Sequence, residues 1–204
     1  MYIKIIGKGK PIVLIHGWGM SGKIWKEFSK VMKYKNKLYI IDLPGMGKSP
    51  IINPYKIDNL IDKIHESIPE KATIIGWSLG GQIAMKYCLK HPKTVKKLVC
   101  ISSTPCFIRK PGWEYGVSIN FFYKFKKNLL INWQKTLKSF FLLQIKEDKE
   151  SKNIIKKLEN DFMDQQSPTK EGLEKSLEIL EEIDMRNDVK NINIPTLIIS
   201  GKQD

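Results

Sequence analysis

The residues most able to do chemistry lie in Gly76-Trp77-Ser78-Leu79-Gly80-Gly81, directly after the apolar run Thr73-Ile74-Ile75 and directly before the helical pattern of 82–90. A serine hydroxyl is a weak nucleophile, and it becomes useful when a tight strand-to-helix turn holds it proud of a sheet. Glycines on both sides allow the close backbone approach such a turn needs. Ser78 is therefore the candidate nucleophile. A helix that starts immediately afterwards aims free N–H groups and its positive dipole end at the charge formed during acyl transfer, which makes the Leu79 N–H a candidate donor to that charge. His16-Gly17-Trp18-Gly19 follows a second apolar run and supplies a loop whose Trp18 N–H could be the other donor. Removing one such donor typically costs about 10²–10³ in rate. His16 itself is expected to brace its turn by hydrogen bonding. A third motif, Asp42-Leu43-Pro44-Gly45-Met46-Gly47-Lys48-Ser49, lacks the spacing of a phosphate-binding loop and reads as architecture.

A serine nucleophile needs a base and an acid to orient it. Asp204, in Gly201-Lys202-Gln203-Asp204 after an apolar run, is the candidate acid, the alternative being a simple chain end. The three histidines are His16, His65 and His91. His91 follows the nucleophile by about a dozen helical residues, roughly 18 Å at 1.5 Å per residue. His65 lies near the end of a helix that leads back to the far edge of the sheet. None is positioned by its sequence context to act as base.

These groups require a scaffold, and the pattern supplies one. Short runs rich in Ile, Leu and Val at 2–6, 12–15, 38–41, 73–76, 97–101 and 196–200 alternate with helical patterns at 24–32, 57–68 and 79–90. That alternation predicts β-α units around a mainly parallel sheet. His91-Pro92 closes the third helix. From 109 to 188 the pattern becomes aromatic, lysine-rich and helical, so the predicted organisation is a core over 1–108, a helical cap insertion over 109–188, and a returning buried strand with the acid turn over 189–204. A strand at 196–200 lacking an outer neighbour would present an apolar edge prone to self-association.

Composition excludes several classes. The chain has 204 residues, 42% of them hydrophobic, enough for one core. No apolar run reaches the roughly 18 residues of a membrane span, and no secretion signal opens the chain, so a cytoplasmic, membrane-free protein is expected. Cys88, Cys100 and Cys106 have neither disulfide nor zinc spacing. The net charge of +14 comes without any nucleic-acid-binding motif, so no nucleic-acid partner is expected. Lysines at 124, 126, 127, 135, 138, 146, 149, 152, 156 and 157 face only four acids between 121 and 159, a local excess that suits an acidic macromolecular partner.

Taken together, HGWG at 16–19, DLPGMGKS at 42–49, GWSLGG at 76–81, Ser102-Ser103-Thr104-Pro105-Cys106-Phe107, Phe140-Phe141-Leu142-Leu143-Gln144, and Gly172-Leu173 through Leu177-Glu178-Ile179-Leu180 with Asp184-Met185-Arg186 resemble the serine α/β-hydrolases. Within that superfamily they look most like the esterases that demethylate pimeloyl-[acyl-carrier protein] methyl ester in biotin synthesis. The resemblance implies an α/β-hydrolase fold with an inserted helical cap, ester hydrolysis by a monomer, and no metal or organic cofactor. It implies Ser78 as nucleophile, Trp18 and Leu79 at the substrate carbonyl, and Phe140 lining the acyl pocket, with ordinary cap packing as the alternative for Phe140. It also implies Lys135, Lys152 and Lys156 as contacts to the acyl-carrier protein, a solvated lysine face being the alternative. In the order usual for this fold the histidine follows the acid. The expectation is that this chain ends before that histidine, the last strand and the closing helix, and is weak or inactive alone. Rival readings are a broad-specificity small-ester hydrolase and a non-catalytic remnant that binds acyl-carrier protein.

Overall fold

Parallel strands must be joined by crossovers, and in this protein helices supply them. The computed structural model describes residues 1–143 and 168–202. Among these residues, β1 (Ile3–Ile6), β2 (Lys10–Ile15), β3 (Asn36–Ile41), β4 (Ala72–Trp77), β5 (Val95–Ile101) and β6 (Thr196–Ile199) form one sheet in the order β1-β3-β2-β4-β5-β6. Only β1, paired with β3, runs antiparallel. The chain moves one way from β2 to β3 through α1 (Lys26–Met32), then back over β2 to β4 through α2 (Ile57–His65), and on to β5 through α3 (Leu79–Lys90). With right-handed crossovers, that reversal places α1 on one face and α2 and α3 on the other.

The two faces have separate cores. Trp25 packs with Ile12, Leu14, Leu38, Ile40 and Ile75 on the α1 face. On the opposite face Leu60, Ile61 and Ile64 of α2 and Ile83, Ala84 and Tyr87 of α3 join Val13, Ile15, Ile41 and Ile74. Each fully buried aliphatic side chain of this kind stabilises the fold by about 1.5–3 kcal/mol relative to exposure.

Among the described residues, the α-helices α4 (Ile119–Ile131), α5 (Trp133–Leu143) and α6 (Lys170–Glu182) lie between β5 and β6 in the chain. The excursion is pinned at its base, where Cys106 bridges Asp184 and the Met185 N–H donates to the Pro105 carbonyl at 2.9 Å. Helix α6 seats on the turn after β3. The Thr169 side chain caps it, the Thr169 N–H donates to the Gly45 carbonyl at 2.8 Å, and a Cβ on Gly172 would stand 2.6 Å from that same oxygen. Lys126 of α4 pairs with Glu181 of α6 at 2.8 Å.

Three expectations need correction. The helix expected over 24–32 starts as a 3-10 turn, Gly22–Trp25, and becomes α-helical only at Lys26, because Gly22 is wedged against Ile40 and Asp42. The helix expected over 57–68 ends at His65 with Glu66 as its C-cap; the Ser67 hydroxyl turns back to the Lys63 carbonyl at 2.7 Å, and Pro69 disfavours helix at Ile68. The strand expected to be buried near 196–200 forms over Thr196–Ile199, but all four of its residues are exposed, Ile198 at 69%, because among the described residues it pairs with β5 alone and no helix covers either of its faces.

Candidate active site

Sheet register decides which loops meet. Ile15 pairs with Gly76, Trp77 with Ile101, and Ile101 with Ile199, so the segments following β2, β4, β5 and β6 emerge at one carboxyl edge. The reversal of chain direction lies between β2 and β4, the kind of crevice where open α/β sheets bind ligands.

Ser78 occupies the turn between β4 and α3 with φ 52° and ψ −118°. For a residue with a Cβ this conformation costs about 1–3 kcal/mol and persists only where the surroundings enforce it. Here they do. The Ser78 N–H donates to the Ile101 carbonyl at 2.9 Å, and the Ser78 carbonyl accepts from the Gly81 N–H at 2.9 Å and from the Ser103 hydroxyl at 2.8 Å. A Cβ on Gly80 would strike the Ile15 and His16 carbonyls, and one on Gly76 would strike Gly80. The helix therefore starts hard against the end of β2. Its first N–H groups, Leu79 among them, have no carbonyl within the helix to donate to.

The loop after β2 reaches the serine directly, for a Cβ on Gly17 would lie 3.3 Å from the Ser78 Cβ. Trp18 is buried, its indole N–H donating to the Leu173 carbonyl of α6 at 3.0 Å. Phe140 of α5 and Phe125 of α4 meet its ring edge-to-face at centroid distances of 5.1 and 5.4 Å. These side chains and Ser78, with Phe107 and Leu180, enclose an apolar cavity of about 60 Å³. A second, wider pocket of about 350 Å³ also meets Ser78 and is lined by Ser102, Ser103, Thr104 and Ser200. Phe107, Val117 and Leu180 line both.

His16 is fully buried, with both ring nitrogens engaged. Nε2 accepts the Leu43 N–H at 2.9 Å, which assigns the proton to Nδ1, 2.8 Å from the Gly17 carbonyl it donates to. Burial holds the imidazole below its ordinary 6.5, against the opposing effects of the Gly17 bond and of Asp42. Asp42 is equally engaged, accepting from the Gly22 and Lys48 N–H groups at 2.6 and 2.9 Å. His65 and His91 stack on each other at 3.9 Å at the other end of α3, roughly 18 Å along the helix from Ser78. The cysteines are buried, and desolvation pushes the Cys88 and Cys100 thiols up to about 12 and about 11. Such thiols are poor nucleophiles at neutral pH.

The structure thus brings Ser78, Leu79, Trp18 and Phe140 together. Lys135 is exposed on α5, its N–H donating to the Asn132 side chain at 3.0 Å. Lys152, Lys156 and Asp204 lie outside the described residues. Sequence reasoning missed Phe125 and assigned no role to Phe107, Leu180 or Ser103, although these three lie in segments that carry the family resemblance. The 121–125 aromatic cluster, at helical spacing, was the available signal for Phe125; the cavity contacts of Phe107 and Leu180 and the Ser103 brace depend on tertiary packing. Among the described residues no three His, Cys, Asp or Glu are grouped to hold a metal, and no helix is long and apolar enough to cross a membrane.

Residues 10–204 match the family described as alpha/beta hydrolase fold. The chain belongs to the α/β-hydrolase family. A pimeloyl-[acyl-carrier protein] methyl ester esterase of Wigglesworthia glossinidia brevipalpis is 39% identical over 98% of this chain and 78% of its own length. A protein of the same name from Nitrosomonas europaea is 31% identical over 100% of this chain and 81% of its own length. Among solved structures, an esterase from Exiguobacterium antarcticum superposes with a TM-score of 0.89 at 26% identity, covering 100% of this chain and 77% of that one. A bromoperoxidase from Bacillus anthracis shares the hydrolase fold with a TM-score of 0.85 at 24% identity, covering 98% of this chain and 76% of that one.

Proposed function

We propose that this α/β-hydrolase is a serine carboxylesterase acting in the cytoplasm on the methyl ester of pimeloyl-[acyl-carrier protein], a step of biotin synthesis. The observation that carries the reading is Ser78, strained at positive φ on the elbow and touching the Trp18 loop at the junction of an apolar cavity and an open groove. Relatives 31–39% identical carry the name of that activity. Residues 1–108 and 189–204 are read as the core and 109–188 as the cap.

In this reading the Ser78 oxygen attacks the ester carbonyl, and the N–H groups of Trp18 and Leu79 stabilise the oxyanion. Methanol leaves with the proton taken from Ser78. Water then attacks the acyl-serine and releases the free acid, still attached to its carrier. The cavity beside Phe140 is much smaller than the about 300–1,000 Å³ usual for ligand sites, so a seven-carbon acyl group must also use the adjoining groove. The proton transfer needs a base within about 2.6–3.2 Å of the serine oxygen. His16 has both nitrogens engaged, and His65 and His91 are at the far end of α3, so none of the chain's three histidines fills the role. Asp204 is proposed as the acid that orients such a base. Residues 1–204 alone should therefore turn over slowly.

The test uses carrier-bound pimeloyl methyl ester with three proteins: residues 1–204, the same residues continued by the C-terminal part of a relative, and the continued chain with Ser78→Ala. Methanol release should be fast only in the second, with an acyl adduct on Ser78. Turnover that survives Ser78→Ala would refute the nucleophile, and equal turnover of simple p-nitrophenyl esters would favour the broad-specificity reading. Charge reversal at Lys152 and Lys156, or at Lys135, should weaken carrier binding most at low salt. Carrier binding unchanged by these reversals would remove the carrier from the cap.

A further inference from the structure

Away from Ser78, on the α1 face, a concave groove of about 910 Å³ runs between β1, β3 and α1. It shares no lining residue with the two pockets at the serine. Six lysines line it: Lys4 from β1, Lys23 from the 3-10 turn, Lys26, Lys30 and Lys33 from α1 and its C-cap, and Lys48 from the turn after β3. Lys26, Lys30 and Lys33 follow one another at helical spacing, so they share a face. The lining contains one carboxylate, Asp42, and that group is buried and already accepts two backbone N–H groups. Lys30 touches Glu27 at 2.7 Å, but both side chains are about 60% exposed, and exposed pairs of this kind are weak. Lys48 is held over the Tyr2 ring at 5.3 Å.

A second observation points to a ligand independently of charge. Ser29, 4% exposed, contributes to the groove wall, and its buried hydroxyl oxygen has no hydrogen-bond partner among the described residues. A buried polar group without a partner is uncommon and costly. A hydroxyl can donate to an oxyanion, and the surrounding ammonium groups would hold such an anion against it by charge.

We propose that this groove binds a compact polyanion carrying several adjacent phosphates, with the lysines neutralising the charge and the Ser29 hydroxyl donating to one phosphate oxygen. Ammonium groups act as point charges toward phosphate without the planar fork that arginine imposes. Their arrival from four segments converges charge on a volume the size of a small-ligand site, about 300–1,000 Å³, instead of spreading it along a flat track as a duplex would need. The site is independent of the esterase reading.

Calorimetric titration of the 204-residue chain with orthophosphate, pyrophosphate and tripolyphosphate at low ionic strength tests it. Saturable one-to-one binding is expected, tightening with each phosphate and weakening as salt is raised. Lys26→Glu with Lys30→Glu should weaken tripolyphosphate binding by more than about tenfold, and Ser29→Ala by about tenfold, the worth of one hydrogen bond to a charged group. Lys93→Glu with Lys96→Glu, which carries the same charge change outside the groove, should leave binding nearly unchanged. Should the α1 double variant unfold, Lys4→Gln and Ser29→Ala carry the comparison. Unsaturable binding, equal losses in the two double variants, or no effect of Ser29→Ala would overturn the site. So would a DNA duplex that binds more tightly than tripolyphosphate and is lost in the same variants, since it would make the surface a nucleic-acid contact.

Discussion

Replacing His16 by leucine tests whether this histidine is a neutral brace or a group available for chemistry. The side chain is fully buried, so the substitution roughly preserves volume while stranding the Leu43 N–H and the Gly17 carbonyl. Each buried group left without a partner costs about 1–3 kcal/mol, so the loss should be about 2–6 kcal/mol, a large share of the 5–15 kcal/mol typical of a domain. A pH signature accompanies it. Burial holds the folded-state imidazole below its ordinary 6.5, so on acidification the unfolded chain binds this proton first. The stability contributed by neutral His16 is complete above pH 6.5 and is lost as pH falls from there toward the folded value, at no more than about 1.4 kcal/mol per pH unit. His91, lowered by burial and by His65 and Lys90, acts with the same sign, so the wild type must be compared with His16→Leu and not with itself. Urea unfolding at pH 7.5, 6.5, 5.5 and 5.0 gives both quantities, the test pH values spanning about one and a half units below the ordinary histidine value. The wild-type advantage should shrink as pH falls. A small, pH-independent difference would refute the brace and return His16 to the list of candidate bases.

Other consequences follow from the same contacts. Gly80→Ala would push a Cβ into the Ile15 and His16 carbonyls, and backbone atoms cannot step aside; a loss of about 1–3 kcal/mol in urea unfolding, and slower labelling of Ser78 by a fluorophosphonate in the chain continued by a relative's C-terminal part, are expected together. In residues 1–204 continued by the C-terminal part of a relative, Gly172→Val should lift α6 from Gly45 and loosen the Trp18 to Leu173 hydrogen bond, raising KM more than it lowers kcat; unchanged kinetics would mean that α6 does not shape the site. Ile198→Lys should suppress concentration-dependent association in sedimentation velocity, because a charge on an exposed apolar edge opposes strand pairing. A wild-type chain that is monodisperse at every concentration would remove the premise.

Local chemistry in the sequence was enough to locate the elbow. Gly76, Gly80 and Gly81 around Ser78 announce a turn that tolerates no side chains, and the helix that follows runs over Leu79–Lys90 as its pattern requires, with His91-Pro92 closing it. The alternation of Ile-rich runs with helical patterns was likewise sufficient for a mainly parallel sheet, because both periodicities are properties of neighbouring residues. Pairing order is not such a property. That β2 sits between β3 and β4, and that the Trp18 loop consequently touches Ser78 from 60 positions away, depends on crossovers and register, which no short window contains. The same holds for the cavity wall, where Phe107, Phe125, Phe140 and Leu180 converge from separate segments, and for the unpartnered Ser29 hydroxyl beneath six lysines. Residue type and spacing determined which groups could react; only tertiary packing, which trades many distant contacts against one another at once, decided which of them face the same space.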